Sequence, residues 1–324
     1  MIHVGIIGTS KIAQTLCSVF QMFDDISIEA IYSRKLETAQ IFAEKFHIQR
    51  MYTSLQDMLQ NTNINLVYIA SPNVLHAKHT EECLKHGKHV LCEKPVTLNE
   101  KDLHKLILIA EESGCFFIEA ITTPFMPNYH ILQKKLLSIS TVHLINCNLS
   151  QYSSRYQELM NGKITNVFNS EMGGGALYDL GVYCLHFLYG LFGYPKRMRI
   201  ECVTHSTGID TSGVIVMTYT DKIAVASYGK DSCGKASARI QYEDGYMDID
   251  GSCSRVNALY ESNKAGYVSI GVETKAAHHW YEVKAVITLI KEQNWEMQRQ
   301  LWRESLAVCR MVDELHRQLE GEAI

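Results

Sequence analysis

Short apolar runs alternate with segments of helical periodicity in the first part of the chain. Residues 2–7 form a β-rich apolar run that ends at Gly8, and apolar residues at helical spacing follow from Ile12 to Phe20. The same pattern predicts further strands at 26–32, 66–70, 89–92 and 116–118, and helices at 36–46, 55–59, 81–84 and 97–113. Strands that alternate with helices at this rhythm predict a parallel, doubly wound sheet of the Rossmann type.

The last of these helices carries a start signal. Thr97 and Glu100 have the spacing of a capping box, in which the hydroxyl and the carboxylate satisfy free amides at a helix start. We therefore expect this helix to begin at Thr97.

The pattern changes after Pro124 and Pro127. A helix at 129–137 leads into strand-like runs separated by short turns, at 142–149, 198–202, 213–220, 223–227, 238–242 and 246–250. Helices are predicted at 176–191, 281–291 and 304–319. Consecutive strands with tight turns predict a mostly antiparallel open sheet. The fold class is thus α/β, with a Rossmann domain over residues 1–121 and a second, α+β domain over 122–324 that carries this sheet.

Composition limits the classes of protein and partner. The chain has 324 residues, of which 46% are hydrophobic and 20% charged, and its net charge is −4. These values are typical of a soluble globular protein. We expect neither a nucleic-acid nor a membrane partner, because no block of like charge and no 20-residue apolar span occurs. A signal peptide is not expected, since a strand is predicted from Ile2.

The cysteine and histidine patterns give no metal signature. The ten cysteines form no C-x-x-C pair, which favours reduced thiols in a cytoplasmic protein. His76 and His79, and likewise His86 and His89, share a helical spacing, but neither pair carries the glutamate of an H-E-x-x-H site. We therefore predict no metal.

A cofactor loop is predicted where the first strand turns into the first helix. Gly8 allows a tight turn, Ala13 is small enough for contact between helix and strand, and the helix start offers free amides to a pyrophosphate. Ser10 departs from the G-x-G-x-x-G/A fingerprint at its middle glycine. The cofactor-binding candidates in this loop are Gly8, Thr9, Ser10, Lys11 and Ile12. The alternative is an ordinary tight βα turn.

The end of the second predicted strand bears on the choice of cofactor. It reads Ser33-Arg34-Lys35, without the acid that usually binds the ribose hydroxyls of NAD. These side chains could receive a 2′-phosphate, so NADP(H) is favoured and NAD(H) stays open. The alternative is a solvated basic turn.

Two further segments carry candidate chemistry. Lys94 follows a buried strand, at the sheet edge where open α/β sheets bind ligands, and a cation there could stabilise an oxygen charge. Three glycines at 173–175 allow close approach of the backbone to a ligand. They precede a helix on which Asp179, Tyr183 and His186 share one face. A structural lysine and a helix with a partly buried polar edge are the alternatives.

Together these segments resemble the Gfo/Idh/MocA family of glucose–fructose oxidoreductases and inositol dehydrogenases. The resemblance is carried by the Gly8 loop and by five further stretches, which are Tyr68-Ile69-Ala70-Ser71-Pro72-Asn73 with His76, Gly87 to Pro95 with Glu93-Lys94-Pro95, Glu119-Ala120, Pro127, and Gly173 to Tyr183. The closing helix around 301–321 is also similar, so the resemblance covers nearly the whole chain. It implies cofactor contacts from Ser71, Pro72, Asn73, His76, Glu93 and Lys94. It also implies a homodimer or homotetramer formed through the sheet of the second domain.

The resemblance implies catalytic roles for Lys94 and Asp179. Many sugar and inositol dehydrogenases have histidine where this chain has Tyr183, which looks more like the dihydrodiol dehydrogenase branch with its tyrosine acid/base. This departure argues against inositol itself as the substrate. His186 is not at the family's usual catalytic position.

The expected activity is hydride transfer between a nicotinamide and a hydroxyl or carbonyl carbon of a sugar, polyol, diol or related small molecule. Tyr183 would exchange the proton, Lys94 would stabilise the oxygen charge, and Asp179 would orient Lys94. The alternative is a cofactor-binding protein without net redox turnover, either an NAD(P)-sensing regulator or an NAD-dependent glycosidase. Substrate specificity is expected from the loop 151–172 and from side chains at the strand ends. Tyr152 and Arg155 of this loop are candidate substrate contacts, although a solvent-facing position is favoured for both.

Overall fold

The computed structural model describes residues 1–319 and Gly321, and it divides into two compact units. One unit contains Met1–Ala120 together with His279–Leu306, and the other contains Ile121–His278 and the chain from Ala307 onward. Residues 320 and 322–324, which the sequence analysis includes in the second domain, lie outside the described residues. Glu320, near the end of the similar closing helix, is one of them.

The first unit is built on a six-stranded parallel sheet. Its order is β3-β2-β1-β4-β5-β6, and the strands are β1 (Ile2–Ile7), β2 (Ile26–Tyr32), β3 (Arg50–Tyr52), β4 (Leu66–Ile69), β5 (His89–Glu93) and β6 (Phe117–Ala120). This is the Rossmann order, so the predicted fold class is confirmed here. The sequence analysis missed β3, because its three residues carry no apolar run.

Helices connect and cover these strands. They are α1 (Lys11–Phe20), α2 (Leu36–Phe46), α3 (Leu55–Leu59), α4 (His76–Lys85), α5 (Glu100–Ser113) and, from the later part of the chain, α9 (His279–Glu292). The predicted capping box at Thr97 was wrong. Asn99 is the N-cap of α5, and its side chain accepts from the amide of Asp102 at 2.9 Å, whereas the Thr97 hydroxyl donates to the carbonyl of Asn99.

The edge strand β6 is covered by the helix α10 (Trp295–Leu319), whose residues up to Leu306 belong to the first unit. The side-chain amide of Gln298 donates to the carbonyl of Phe117 at 2.7 Å and accepts from its amide at 3.3 Å. The indole of Trp302 donates to the same carbonyl at 2.8 Å. These bonds satisfy an edge strand that would otherwise leave its peptide groups unpaired. The predicted helix start at 304 was too late.

The second unit contains an eight-stranded sheet of order β14-β13-β12-β11-β7-β10-β9-β8. Its strands are β7 (Val142–Ser150), β8 (Arg197–Thr204), β9 (Asp210–Thr218), β10 (Ile223–Gly229), β11 (Ser237–Tyr242), β12 (Gly245–Asp250), β13 (Ala258–Asn263) and β14 (Gly266–Ser269). The pair β7 and β10 runs parallel and the other neighbouring pairs run antiparallel, as predicted for a mostly antiparallel sheet.

This unit also contains the helices α6 (Pro127–Leu136), α7 (Tyr156–Met160) and α8 (Val182–Phe192), and the part of α10 that begins at Ala307. The prediction of one continuous α-helix over 176–191 was wrong at its start, because Leu177–Gly181 forms a π-helical turn that leads into α8. The Asp210 carboxylate accepts from the amides of Ala176 and Leu177, at 3.1 and 2.7 Å, and holds this start of the helix. Single π-turns within helices are frequent at functional sites.

Among residues 1–319 and 321, no helix is both long and apolar enough to cross a bilayer.

Candidate active site

The Gly8 loop lies where the order of the parallel sheet reverses. β1 is flanked by β2 and β4, and ligands of doubly wound sheets bind at such a switch point, outside the carboxyl ends of the strands. Gly8 has φ +101°, and a Cβ built on it would lie 2.5 Å from the carbonyl oxygen of Ala70. The tight turn between β1 and α1 therefore requires glycine.

Ser10 gives the loop its own helix cap. Its hydroxyl oxygen accepts from the amide of Ala13 at 3.3 Å, directly before α1 begins at Lys11. The serine that replaces the middle glycine of the fingerprint thus stabilises the helix start, while Thr9 and Ile12 are only partly buried and Lys11 is exposed. The arrangement of strand, glycine turn and helix start fits a pyrophosphate.

Alanine in place of Gly8 is expected to lower the free energy of unfolding by at least ~2 kcal/mol, because a positive φ and a contact with backbone must both be relieved. Urea unfolding measures this effect. Gly87→Ala is the matched control, since Gly87 has φ +68° but a Cβ on it meets nothing within 4 Å. Equal losses in the two variants would show that the contact with Ala70 costs nothing.

The candidates at the end of β2 differ in their surroundings. The Ser33 hydroxyl lies 2.6 Å from that of Thr38, and the Ser33 amide donates to the carbonyl of Tyr52. Arg34 and Lys35 are exposed. Ser33 thus fixes the loop after β2, and the side chains of Arg34 and Lys35 lie at the surface.

His76 ties two loops of the sheet edge together. Its ring is buried, with Nδ1 2.8 Å from the carbonyl oxygen of Pro95 and Nε2 2.7 Å from that of Ser71. His79 adds a contact of 3.0 Å from Nδ1 to the Ser71 hydroxyl. Burial lowers the pKa of His76. The His76 ring thus lies between the loop after β4 and the turn after β5, and as a neutral imidazole it donates to one of the two carbonyls. Cofactor contact by Ser71, Pro72, Asn73 and His76 stays a prediction.

Glu93 is directed into a buried polar cluster of the first unit. The hydroxyl of Tyr68 donates to its carboxylate at 2.6 Å, and both side chains are buried. The neighbouring Glu282 is fully buried, and one of its oxygens lies 3.0 Å from Nδ1 of His279. Burial, with added repulsion from Glu282, raises the pKa of Glu93 to about 7.

Lys94 lies on the turn that this cluster supports. The turn continues through Pro95, and the amide of Val96 donates to the Glu119 carboxylate at 3.3 Å. Lys94 itself is partly buried. The backbone that carries Lys94 is therefore held on one side by the bond between Glu93 and Tyr68, and on the other by the bond from the Val96 amide to Glu119.

Stability should fall with rising pH because of Glu93. The unfolded chain ionises this carboxyl near pH 4.5 and the folded chain near 7, so the folded state binds more protons between these values and loses stability as the pH rises through them. Between pH 5 and 8, the wild type should lose about 2–3 kcal/mol more than Glu93→Gln. Urea unfolding across this range measures the difference. The exposed Glu37→Gln serves as control, and parallel profiles for wild type and Glu93→Gln would contradict the assignment.

The glycine run before α8 serves packing inside the second unit. A Cβ on Gly174 would lie 2.7 Å from two backbone oxygens, those of Asn166 and Val167, and Gly175 has φ +118° with a Cβ 2.3 Å from the Asp210 carboxylate. The sequence analysis assigned this run to the approach of a ligand. In the structure, Gly174 and Gly175 instead have protein neighbours, since backbone oxygens of residues 166–167 lie over the first and the Asp210 carboxylate lies over the second.

Asp179 and Tyr183 lie on either side of the junction between the π-turn and α8. Both are partly buried, whereas His186 is buried on the same helix. The carboxylate of Asp179 accepts from the ammonium of Lys230, a residue that directly follows β10. Sequence reasoning missed Lys230, although it ends a strand just as Lys94 does.

The loop 151–172 is ordered by a small core of its own. Leu159 of α7 packs with Phe168 and Ile209, and all three are buried. Tyr152 is 43% exposed, and Arg155 pairs with Glu158, as expected of residues that face solvent.

Within residues 1–319 and 321, no three His, Cys, Asp or Glu side chains are grouped so as to hold a metal ion.

Comparison with known proteins gives independent matches to both units. The profile described as "Oxidoreductase family, NAD-binding Rossmann fold" matches residues 2–120, and the "GFO/IDH/MocA C-terminal domain" matches 138–248. A scyllo-inositol 2-dehydrogenase (NADP(+)), IolU of Bacillus subtilis (strain 168), is 35% identical over 321 residues, which are 98% of this chain and 97% of the relative. The chain belongs to the Gfo/Idh/MocA family.

Other known proteins are similar to this chain over most of its length. The mouse trans-1,2-dihydrobenzene-1,2-diol dehydrogenase is 28% identical, over 72% of this chain and 68% of the relative. The 3-ketoreductase KijD10 from Actinomadura kijaniata, solved with NADP and TDP-benzene, superimposes with a TM-score of 0.84 at 20% identity, over 97% of both chains. This last likeness bears on the fold alone.

Membership of the Gfo/Idh/MocA family makes the protein an oxidoreductase with a nicotinamide-binding Rossmann unit. The predictions of family, fold class and enzyme type are thereby confirmed. One of the relatives is an inositol dehydrogenase, whereas the sequence analysis took Tyr183 as an argument against inositol as the substrate. The roles of individual site residues stay predictions.

Proposed function

We propose that the protein is an NADP(H)-dependent dehydrogenase or reductase of a polyol, diol or sugar-like carbonyl compound. The observation that carries the proposal is the lysine turn after β5, where buried carboxylates on both sides fix the backbone of Lys94. A fixed cation at the carboxyl end of a parallel strand suits stabilisation of a substrate oxygen.

The proposed mechanism assigns one task to each residue. Bound NADP(H) would supply or accept the hydride. The Tyr183 phenol would exchange the proton of the substrate oxygen, and Lys94 would stabilise negative charge on that oxygen. A free tyrosine has a pKa near 10, so a neighbouring cation is required for it to act near neutrality. The Gly8 turn and the start of α1 would hold the pyrophosphate.

The names of two relatives support this substrate class. One relative is a scyllo-inositol dehydrogenase that uses NADP(+), and another oxidises a dihydrodiol. Both substrates carry adjacent hydroxyl groups on a six-membered ring. We therefore place cyclic polyols and diols first among the candidates.

Absorbance near 340 nm tests the proposal against its alternative. Purified protein with NADP⁺ is mixed with scyllo-inositol, other inositols, cyclic diols or hexoses, and with NADPH and dicarbonyls or ketoses. A net change with at least one compound supports a dehydrogenase. Bound cofactor without any net change would contradict it, and release of nitrophenol from nitrophenyl glycosides would then favour the NAD-dependent glycosidase over a cofactor sensor.

Arg34→Ala tests the choice of cofactor. Loss of an exposed guanidinium that contacts the 2′-phosphate should raise the KM for NADP⁺ by about tenfold or more and leave the KM for NAD⁺ unchanged. Arg50→Ala is the control, since Arg50 is also exposed in the first unit but pairs with Glu29. Equal effects of Arg34→Ala on both cofactors would remove the argument for NADP(H).

We further propose a cytoplasmic homodimer or homotetramer that assembles through the sheet of the second unit. Apolar side chains are exposed on neighbouring strands of that sheet, including Val214 and Val216 of β9 and Ile223 of β10. All ten cysteines are free thiols, as expected in a reducing compartment. Light scattering after size exclusion measures the assembly, and a monomeric mass at micromolar concentration would contradict it.

A further inference from the structure

Lys230 is held at both of its peptide groups. Its amide donates to the carbonyl of Thr211 on β9 at 2.8 Å, and its carbonyl accepts from the amide of Ser153 at 2.8 Å. The residue directly follows β10, so the strand ladder fixes the chain on its other side. These bonds therefore fix the backbone position of Lys230.

The side chain of Lys230 carries a buried charge. It is 6% exposed, and its ammonium donates to the carboxylate of Asp179, which is 40% exposed. The ring of Phe168 lies beneath, with its centroid 5.9 Å from Nζ. A buried ammonium is costly unless an anion pairs with it, and an aromatic ring face stabilises it further. Asp179 supplies the anion and Phe168 the ring.

Several other titratable groups around the π-turn have partners of their own. Among them are Asp210 on the amides of Ala176 and Leu177, Asp231 on the hydroxyls of Thr211 and Ser212, Tyr228 on Cys202, and His316 against the ring of Tyr178. His186 is buried on the helix that follows the π-turn. Lys230 is a cation that this arrangement directs at Asp179.

We propose that Lys230 is a positioning residue, which fixes the carboxylate of Asp179 and cancels its charge four residues before Tyr183. The inference rests on the proposed function, since it gives Lys230 a task only if Tyr183 exchanges a proton. Asp179 lies about one helical turn before Tyr183, close enough for an uncompensated carboxylate to oppose formation of a tyrosinate. With Lys230 in place, the ion pair contributes no net charge near the phenol.

The first test is the pH profile of kcat/KM, with scyllo-inositol and NADP⁺ as the probes. Lys230→Met should lower kcat/KM at pH 7 by about tenfold and move the midpoint of the rising limb to higher pH, by about one unit. Asp179→Asn should move the midpoint in the opposite direction, because it leaves the cation uncompensated. Lys230→Arg should restore most of the rate and the original midpoint. A purely structural role would lower the rate equally at every pH.

Lys222→Met is the matched control. Lys222 directly precedes β10, pairs with Asp221, and lies 5.8 Å from the ring centroids of Phe192 and Tyr219. Its removal takes away an ion-paired lysine that contacts aromatic rings, at the opposite end of the same strand. The midpoint of the pH profile should not move in this variant, and an equal shift there would overturn the inference.

A second test does not depend on activity. Asp179→Asn leaves a buried ammonium without its anion, so its urea midpoint should fall below that of wild type, and adding Lys230→Met to it should recover part of the loss. Additive losses would overturn the inference. If the wild type is inactive with every compound tested, the proposed function fails, and the urea midpoints still decide whether Lys230 fixes Asp179.

Discussion

Alanine in place of Lys94 is expected to lower kcat by about three orders of magnitude while NADPH still binds. The loss is expected because the cation proposed to stabilise negative charge on the substrate oxygen would be missing. The fold should be retained, since Glu93 and Glu119 fix the turn through other groups. Steady-state kinetics with the substrate found in the cofactor assay, and fluorescence titration with NADPH, measure the two effects separately.

The exposed Lys85→Ala is the control for this prediction. Lys85 lies on α4 of the same unit and pairs with Glu81, so its loss changes the charge of the unit equally without affecting the turn. Turnover of Lys94→Ala within a factor of about ten of wild type would be incompatible with a catalytic lysine.

Phenylalanine in place of Tyr183 is expected to reduce kcat by about 10²–10⁴, with a much smaller effect on KM. The ring and its packing at the start of α8 are kept, and only the hydroxyl that exchanges the proton is lost. The limb of the pH profile that reports the tyrosine should disappear with it. A variant that keeps this limb would assign the proton transfer to another group.

Tyr189→Phe offers a comparison on the same helix. Tyr189 lies six residues further along α8 and is also partly buried, so its variant reports the cost of losing a phenol hydroxyl from this helix. Kinetics near those of wild type are expected. A loss of turnover as large as that of Tyr183→Phe would point to a disturbed helix in both variants.

Strands with strong apolar runs could be predicted from the sequence nearly to the residue. The bounds of β1 and β2 agree with the prediction, because both segments are rich in β-branched residues and end before turn residues. β14 was missed, since all four of its residues are exposed at the sheet edge and show no alternation. Edge strands of this kind are defined by pairing with a neighbour, which one sequence does not reveal.

In the candidate site, too, features set by neighbouring residues could be predicted from the sequence, whereas features set by distant residues could not. Lys94 could be found because a strand, a proline turn and a family motif lie next to one another in the sequence. The π-turn could not be found, since its helix start is held by Asp210, which follows it by more than thirty residues. The pair of Asp179 and Lys230 joins residues 51 apart, and no periodicity in either segment indicates it.

The bonds from α10 to Phe117 have a consequence for the design of fragments of this protein. The first unit is a discontinuous domain, completed by a segment encoded more than 150 codons after its last strand. A fragment that stops at Ala120 would expose an open β-edge capable of pairing with another chain, so such a truncation should aggregate. Grafting this Rossmann unit onto a different partner would require transplanting residues 279–306 with it.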